Sequence, residues 1–170
     1  MEFFAPHDKR SQMTSLLVSA SIALLYIFMM SFIDESNIYI KAAFLIIFII
    51  IVAIPYILSV RRYELADDAL YVNFLLHKKK IPVEQMLMIT YPIGQDLKGL
   101  KKTFGSFGYF GYSGKYKSDK YGAVVAYTNK MDDLVLLDTG EKKYLLGPYD
   151  SEKFYHLMKN FISSKSLPKK

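Results

Sequence analysis

Two apolar membrane helices followed by a mainly-β domain with one closing helix is the fold class this chain predicts. Three observations carry it. Two uncharged apolar runs fill most of the first sixty residues, short turn-punctuated stretches of alternating residues follow, and one amphipathic run lies near the C-terminus. The chain has 170 residues, 52 % of them hydrophobic, with 22 Lys+Arg against 16 Asp+Glu and no cysteine. That length suits one domain plus an extra element rather than a multidomain enzyme. Without cysteine there are no disulfides, no thiolate nucleophile and no Cys-based zinc or iron–sulfur site.

After a short N-terminal segment (1–12), Met13 to Ile33 carries no charge, and neither does Ala42 to Val60. At about 1.5 Å rise per residue, runs of this length cover a hydrocarbon core of roughly 30 Å, so the residues read as two spans joined by a loop at 34–41. The first run is longer than a signal-peptide core, and Ser31-Phe32-Ile33-Asp34 offers no small-residue cleavage site. Lys9 and Arg10 precede the first span and Arg61 and Arg62 follow the second, whereas the loop holds one Lys against Asp34 and Glu35. Positive flanks stay inside, so both termini should be cytoplasmic. Ser15, Ser19 and Ala23 recur every four residues, a small-residue face expected to meet the second span or another copy. Neither span holds an ionisable side chain, which argues against an ion or proton pathway.

From residue 61 the pattern changes. Leu70, Val72 and Phe74 alternate with Tyr71 and Asn73, the period of a half-buried strand. Gly122 to Thr128, Asp133 to Thr139 and Lys142 to Leu146 read as further strands, with hairpins expected at Asn129–Asp132 and Asp138–Glu141. Asp150 can cap a closing helix, with Glu152 in its first turn. Its stripe is Phe154, Leu157, Met158, Phe161 and Ile162, which should lie on the sheet. The domain is therefore placed at 61–163, with a basic tail at 164–170.

Several stretches resemble the bacterial pleckstrin-homology (PH) domain families. These are Tyr63 through Val72 as an opening hairpin, Lys80-Ile81-Pro82-Val83-Glu84-Gln85-Met86, the Gly/aromatic segment from Phe104-Gly105 to Gly114-Lys115-Tyr116, and Tyr144-Leu145-Leu146-Gly147-Pro148 before the Phe154/Leu157 helix. The resemblance implies a PH-like partly open β-sandwich or barrel of about seven strands capped by a C-terminal helix, in a bacterial inner-membrane protein. It does not imply an enzyme. Phosphoinositide specificity is not expected either, because the first hairpin loop is the acidic Asp67-Asp68.

Charge divides unevenly. Residues 1–60 carry three basic and four acidic groups, whereas residues 61–170 carry 19 and 12. A strand leaving the membrane at Tyr63 and returning after Asp67-Asp68 would bring Lys78, Lys79 and Lys80 back beside Arg61 and Arg62. Such a membrane-proximal basic rim suits an anionic lipid surface, at about 1 kcal/mol per charge; a solvated charged turn is the alternative.

Residues 99–122 hold six of the nine glycines, interleaved with Phe104, Phe107, Tyr109, Phe110, Tyr112, Tyr116 and Tyr121 and flanked by lysines including Lys115. Four readings compete: a kinked strand pair, a surface for a protein partner, a lipid-interface contact, and stacking of single-stranded nucleic acid. The last is not expected, because the nearest anionic partner is the membrane. His7, His77 and His156 are isolated, so no metal or cofactor is expected. The residues thus point to a non-catalytic, membrane-anchored binding or assembly module with a protein partner or a second copy of itself. The alternative is an accessory or sensor subunit of a membrane transporter or envelope enzyme.

Overall fold

The computed structural model describes residues 1–33, 37–91, 100–106 and 108–166, with Lys102, Lys165 and Ser166 described by backbone alone. Within them the order is β1 (Glu2–Phe4), α1 (Lys9–Met30), α2 (Ile38–Ile57), β2 (Arg62–Leu65), β3 (Ala69–Asn73), β4 (Lys78–Pro82), a 3-10 turn (Val83–Gln85), β5 (Met88–Thr90), β6 (Lys101–Gly105), β7 (Tyr112–Ser118), β8 (Gly122–Thr128), β9 (Val135–Asp138), β10 (Lys143–Leu146) and α3 (Ser151–Ser166).

Both α1 and α2 are long and apolar enough to cross a membrane. Asp8 caps α1 by accepting from Ser11 N at 2.5 Å, which fixes the helix start four residues before the uncharged run begins. Large side chains such as Leu16, Leu24, Ile46 and Ile49 point outward. Ser11 and Ser15 are the buried residues of α1, and α2 has none. The two helices touch through Tyr26 and Phe48, whose ring centroids lie 5.2 Å apart.

The domain has two sheets. One runs β1-β2-β3-β4 and the other β5-β9-β10-β8-β7-β6. Between them Tyr63, Leu70, Val72, Ile81, Val135, Leu137 and Leu146 form the main core, and α3 closes it with Phe154 and Met158, both fully buried. As the stripe implied, Leu157, Phe161 and Ile162 pack against the same core, and Asp150 accepts from Lys153 N at 2.9 Å. A second cluster, including Tyr112, Tyr116, Val124 and Leu145, lies on the other face of the larger sheet.

Two expectations need correction, and one strand was not foreseen. First, Asn129–Asp132 does not close a hairpin, because β10 lies between β9 and β8 and runs parallel to β8. The connection must therefore cross one strand. It does so with buried Asn129 and Lys130 and with Asp133 at φ 50°, whereas Asp138–Glu141 is a true hairpin. The unforeseen strand is β1, in the N-terminal segment, which pairs antiparallel with β2. A strand of three residues is too short to show a period in the sequence. Second, the closing helix continues to Ser166, into the stretch expected to be a tail.

Candidate functional site

The junction between the apolar helices and the domain is the most elaborated part of the molecule. It begins with the chain itself: α2 ends at Ile57 and β2 starts at Arg62, so the connection is four residues long. Two further attachments reinforce it.

The first is the Gly/aromatic hairpin. Strands β6 and β7 approach so closely at Gly105 and Gly114 that a Cβ on Gly105 would stand 2.7 Å from Gly114 Cα. Only glycine fits. The loop beyond them turns into α1: Ser11 Oγ donates to Gly108 O at 2.9 Å, Phe110 N donates to Ser15 Oγ at 2.8 Å, and Ser19 Oγ lies 3.1 Å from Tyr109 OH. Phe110 also meets Tyr56 of α2 edge-on at 5.4 Å, and Ser113 Oγ donates to Leu58 O. The loop is a wedge between the domain-proximal ends of both helices. Two members of the small-residue face, Ser15 and Ser19, thus meet the loop, a partner beyond the second span or second copy that the sequence suggested. Small side chains there make room for backbone. Phe110 adopts φ 55°, an uncommon left-handed conformation held by contacts on both sides.

The second attachment is Asn129, fully buried at the end of β8. Its Nδ2 donates to Ala5 O at 3.0 Å and Val60 O at 2.6 Å, while Oδ1 accepts from Ser59 Oγ at 3.3 Å. One amide thus ties the chain before α1 to the chain after α2. Asp8 adds a bond from Met131 N at 3.3 Å.

The remaining residues of the Gly/aromatic segment separate. Tyr112 and Tyr116 turn into the second cluster, where burial pushes the Tyr116 hydroxyl up to about 12. Phe104 is exposed beside the end of α2, and Lys115 is exposed on β7. Phe107 lies outside the described residues.

The five basic residues expected to form a membrane-proximal rim do not act alike. Arg62 pairs with Glu2 at 3.1 Å, Lys78 with Glu64 at 3.3 Å, and Lys80 with Asp68 at 2.5 Å. Lys80 lies two residues further along β4 than Lys78, about 7 Å away from the junction. Lys79 is exposed, and no acidic partner is found for it among the described residues. Arg61 is the exception: its guanidinium lies 4.5 Å over the Tyr56 ring, and its Nε and Nη2 are buried without an acceptor. Sequence reading missed Glu2, Glu64 and Asp68 as neutralising partners, because they lie 60, 14 and 12 residues from their bases. His7 sits beside Arg61, and burial, followed by that positive charge, holds its imidazole below the usual value. Among the described residues no group of three or more His, Asp or Glu could hold a metal ion.

Two helices long and apolar enough to cross a membrane, joined to two packed sheets whose core is closed by a C-terminal helix, give the architecture of a pleckstrin-homology-type module. Residues 61–161 match the family model of the bacterial PH domain, and the chain belongs to that family. Domains of this type are typically non-catalytic. Neither a curated protein nor a solved structure matches the chain.

Proposed function

We propose that the protein is a non-catalytic binding module of the bacterial inner membrane. The hairpin spans the bilayer, both of its ends are cytoplasmic, and the PH domain is presented at the membrane surface in one orientation. The observation that carries this reading is the junction, where Phe110 is wedged between Tyr56 and Ser15 and Asn129 bonds to both flanking segments. A flexible tether would need none of these contacts. The pairing of β1 with β2 supports a shared side for the two ends, and the Lys9-Arg10 and Arg61-Arg62 flanks favour the cytoplasm.

The partner surface is the outer part of the larger sheet. Among the described residues strand β6 is an edge, a place where an added strand would pair. Beside it a depression of about 370 Å³ is bordered by Lys115, Lys117, Lys142 and Lys143 against Glu141, with Lys143 also paired to Asp138 at 3.8 Å. This balance suits an acidic segment of a protein partner. A sensor or accessory-subunit role draws on the same junction, since a partner pulling on β6 and β7 would move Phe110 between the helices.

Affinity capture of the full-length protein from native membranes tests the reading. A partner should be enriched over the bare hairpin and lost in the double variant Lys115→Glu, Lys117→Glu, with membrane insertion unchanged. Equal capture by the double variant, or none above the bare hairpin, sinks the binding-module assignment.

A further inference from the structure

We infer that the junction holds one anionic phospholipid, with its phosphate beside Arg61 and an acyl chain along the end of α2. The inference rests on the proposal that the hairpin crosses a bilayer. Two cavities meet at the junction. One, of about 520 Å³, is lined by His7, Arg61, Arg62, His77 and Lys78 together with apolar groups, and by no carboxylate among the described residues. The other, of about 620 Å³, is mainly apolar and is lined by Ile54, Pro55, Leu58, Phe104 and the β6–β7 backbone. Phe74 and His77 line both cavities, their rings stacked at 4.3 Å. The polar chamber and the apolar groove therefore share one wall, the shape of an amphiphile rather than of a soluble anion.

Charge selects the headgroup. Arg62 and Lys78 already have carboxylate partners, but among the described residues Arg61 has no ion-pair partner, and two of its nitrogens are buried without an acceptor. A partly buried guanidinium compensated by an aromatic face rather than a carboxylate is costly until an anion approaches it. Phosphate is the anion a guanidinium matches best. Depth selects a lipid over a free phosphate. Leu75 N donates to Ile57 O at 3.4 Å, which places the β3–β4 turn at the end of a membrane-length helix, and its neighbours Leu75 and Leu76 are exposed. Apolar side chains at that level belong among lipid headgroups and upper acyl chains. The chamber lies at the opposite end of β2 and β3 from the acidic Asp67-Asp68 turn.

Native mass spectrometry of the full-length protein in detergent tests this with three probes: phosphatidylglycerol, diacylglycerol with the same chains, and glycerol 3-phosphate. The wild type should retain one phosphatidylglycerol and bind diacylglycerol and glycerol 3-phosphate at least tenfold more weakly. Arg61→Gln should weaken phosphatidylglycerol binding about tenfold. Phe104→Asp, an exposed position whose change leaves the core intact, should weaken it as well and decides the matter if Arg61→Gln fails to fold. Equal binding of diacylglycerol would show a purely apolar groove. Equal binding of glycerol 3-phosphate would show a soluble-anion site, and indifference to both substitutions would show detergent-like adsorption; each of the three overturns the inference. Protein capture through Lys115 and Lys117 is read separately, so either proposal can fail alone.

Discussion

Asn129 shows how much one side chain can carry when every polar atom is used. Its amide serves two backbone carbonyls and one hydroxyl from segments 124, 69 and 70 residues away. Asn129→Ala leaves buried carbonyls without donors and should cost about 3 kcal/mol, read from thermal or denaturant unfolding in detergent. A change under ~1 kcal/mol would mean that the carbonyls find other partners. Asp133 works differently. Burial acts to raise its carboxyl, but hydrogen bonds from Lys130 Nζ, Tyr91 OH and Ser151 outweigh this and hold it below the ordinary value. A depressed carboxyl stabilises the fold above its unfolded value, near 4, and that contribution is lost as the pH falls below it. Tyr91, pushed up to about 12 chiefly by its bond to Asp133, behaves oppositely: its contribution is complete below about 10 and fades as the pH rises toward 12. Melting temperature against pH should fall at both ends, and Asp133→Asn should flatten the acid limb. An unchanged acid limb would assign it to other carboxylates.

Among the elements, the β6–β7 hairpin is the one whose geometry leaves least tolerance. Gly105→Ala would drive a methyl group into Ser113 O and Gly114 Cα at a φ of 133°. It should raise amide exchange through β6 and β7 while α3 and the main core keep their protection. Exchange confined to residue 105 would mean that the strands part without loss. These glycines were visible in the sequence as a cluster, and so were the strands with clear alternation: Gly122–Thr128 is β8 residue for residue. The capped stripe of α3 was equally legible, because period and cap are local properties. The wedge was not. Ser11, Ser15 and Ser19 meet residues 90 to 97 positions away, and a small-residue face carries no mark of whether helix or loop will cover it. The parallel placement of β10 beside β8 was hidden for a similar reason, since the turn residues of Asn129–Asp132 suit a hairpin as well as a crossing.

At the scale of the whole molecule, the junction makes hairpin and domain one body. The absence of native cysteine permits a direct measurement: spin labels introduced at Leu16→Cys and Lys115→Cys should report one narrow distance distribution in a bilayer. Adding Ser15→Leu, which fills the place of the wedge, should broaden it, whereas equal widths would mean that the loop does not fix the domain. The pairing of β1 with β2 bears on how such a body is made. Glu2 leaves the ribosome before either apolar helix, and its partner Arg62 follows 60 residues later. The edge of the smaller sheet therefore stays incomplete until both apolar helices have been synthesised and folded back on each other. A hairpin inserted with its ends on opposite sides of the bilayer could never complete that sheet. On the proposed topology, sheet closure would therefore separate a hairpin whose ends share one side of the bilayer from a wrongly threaded one, which would keep the β2 edge unpaired.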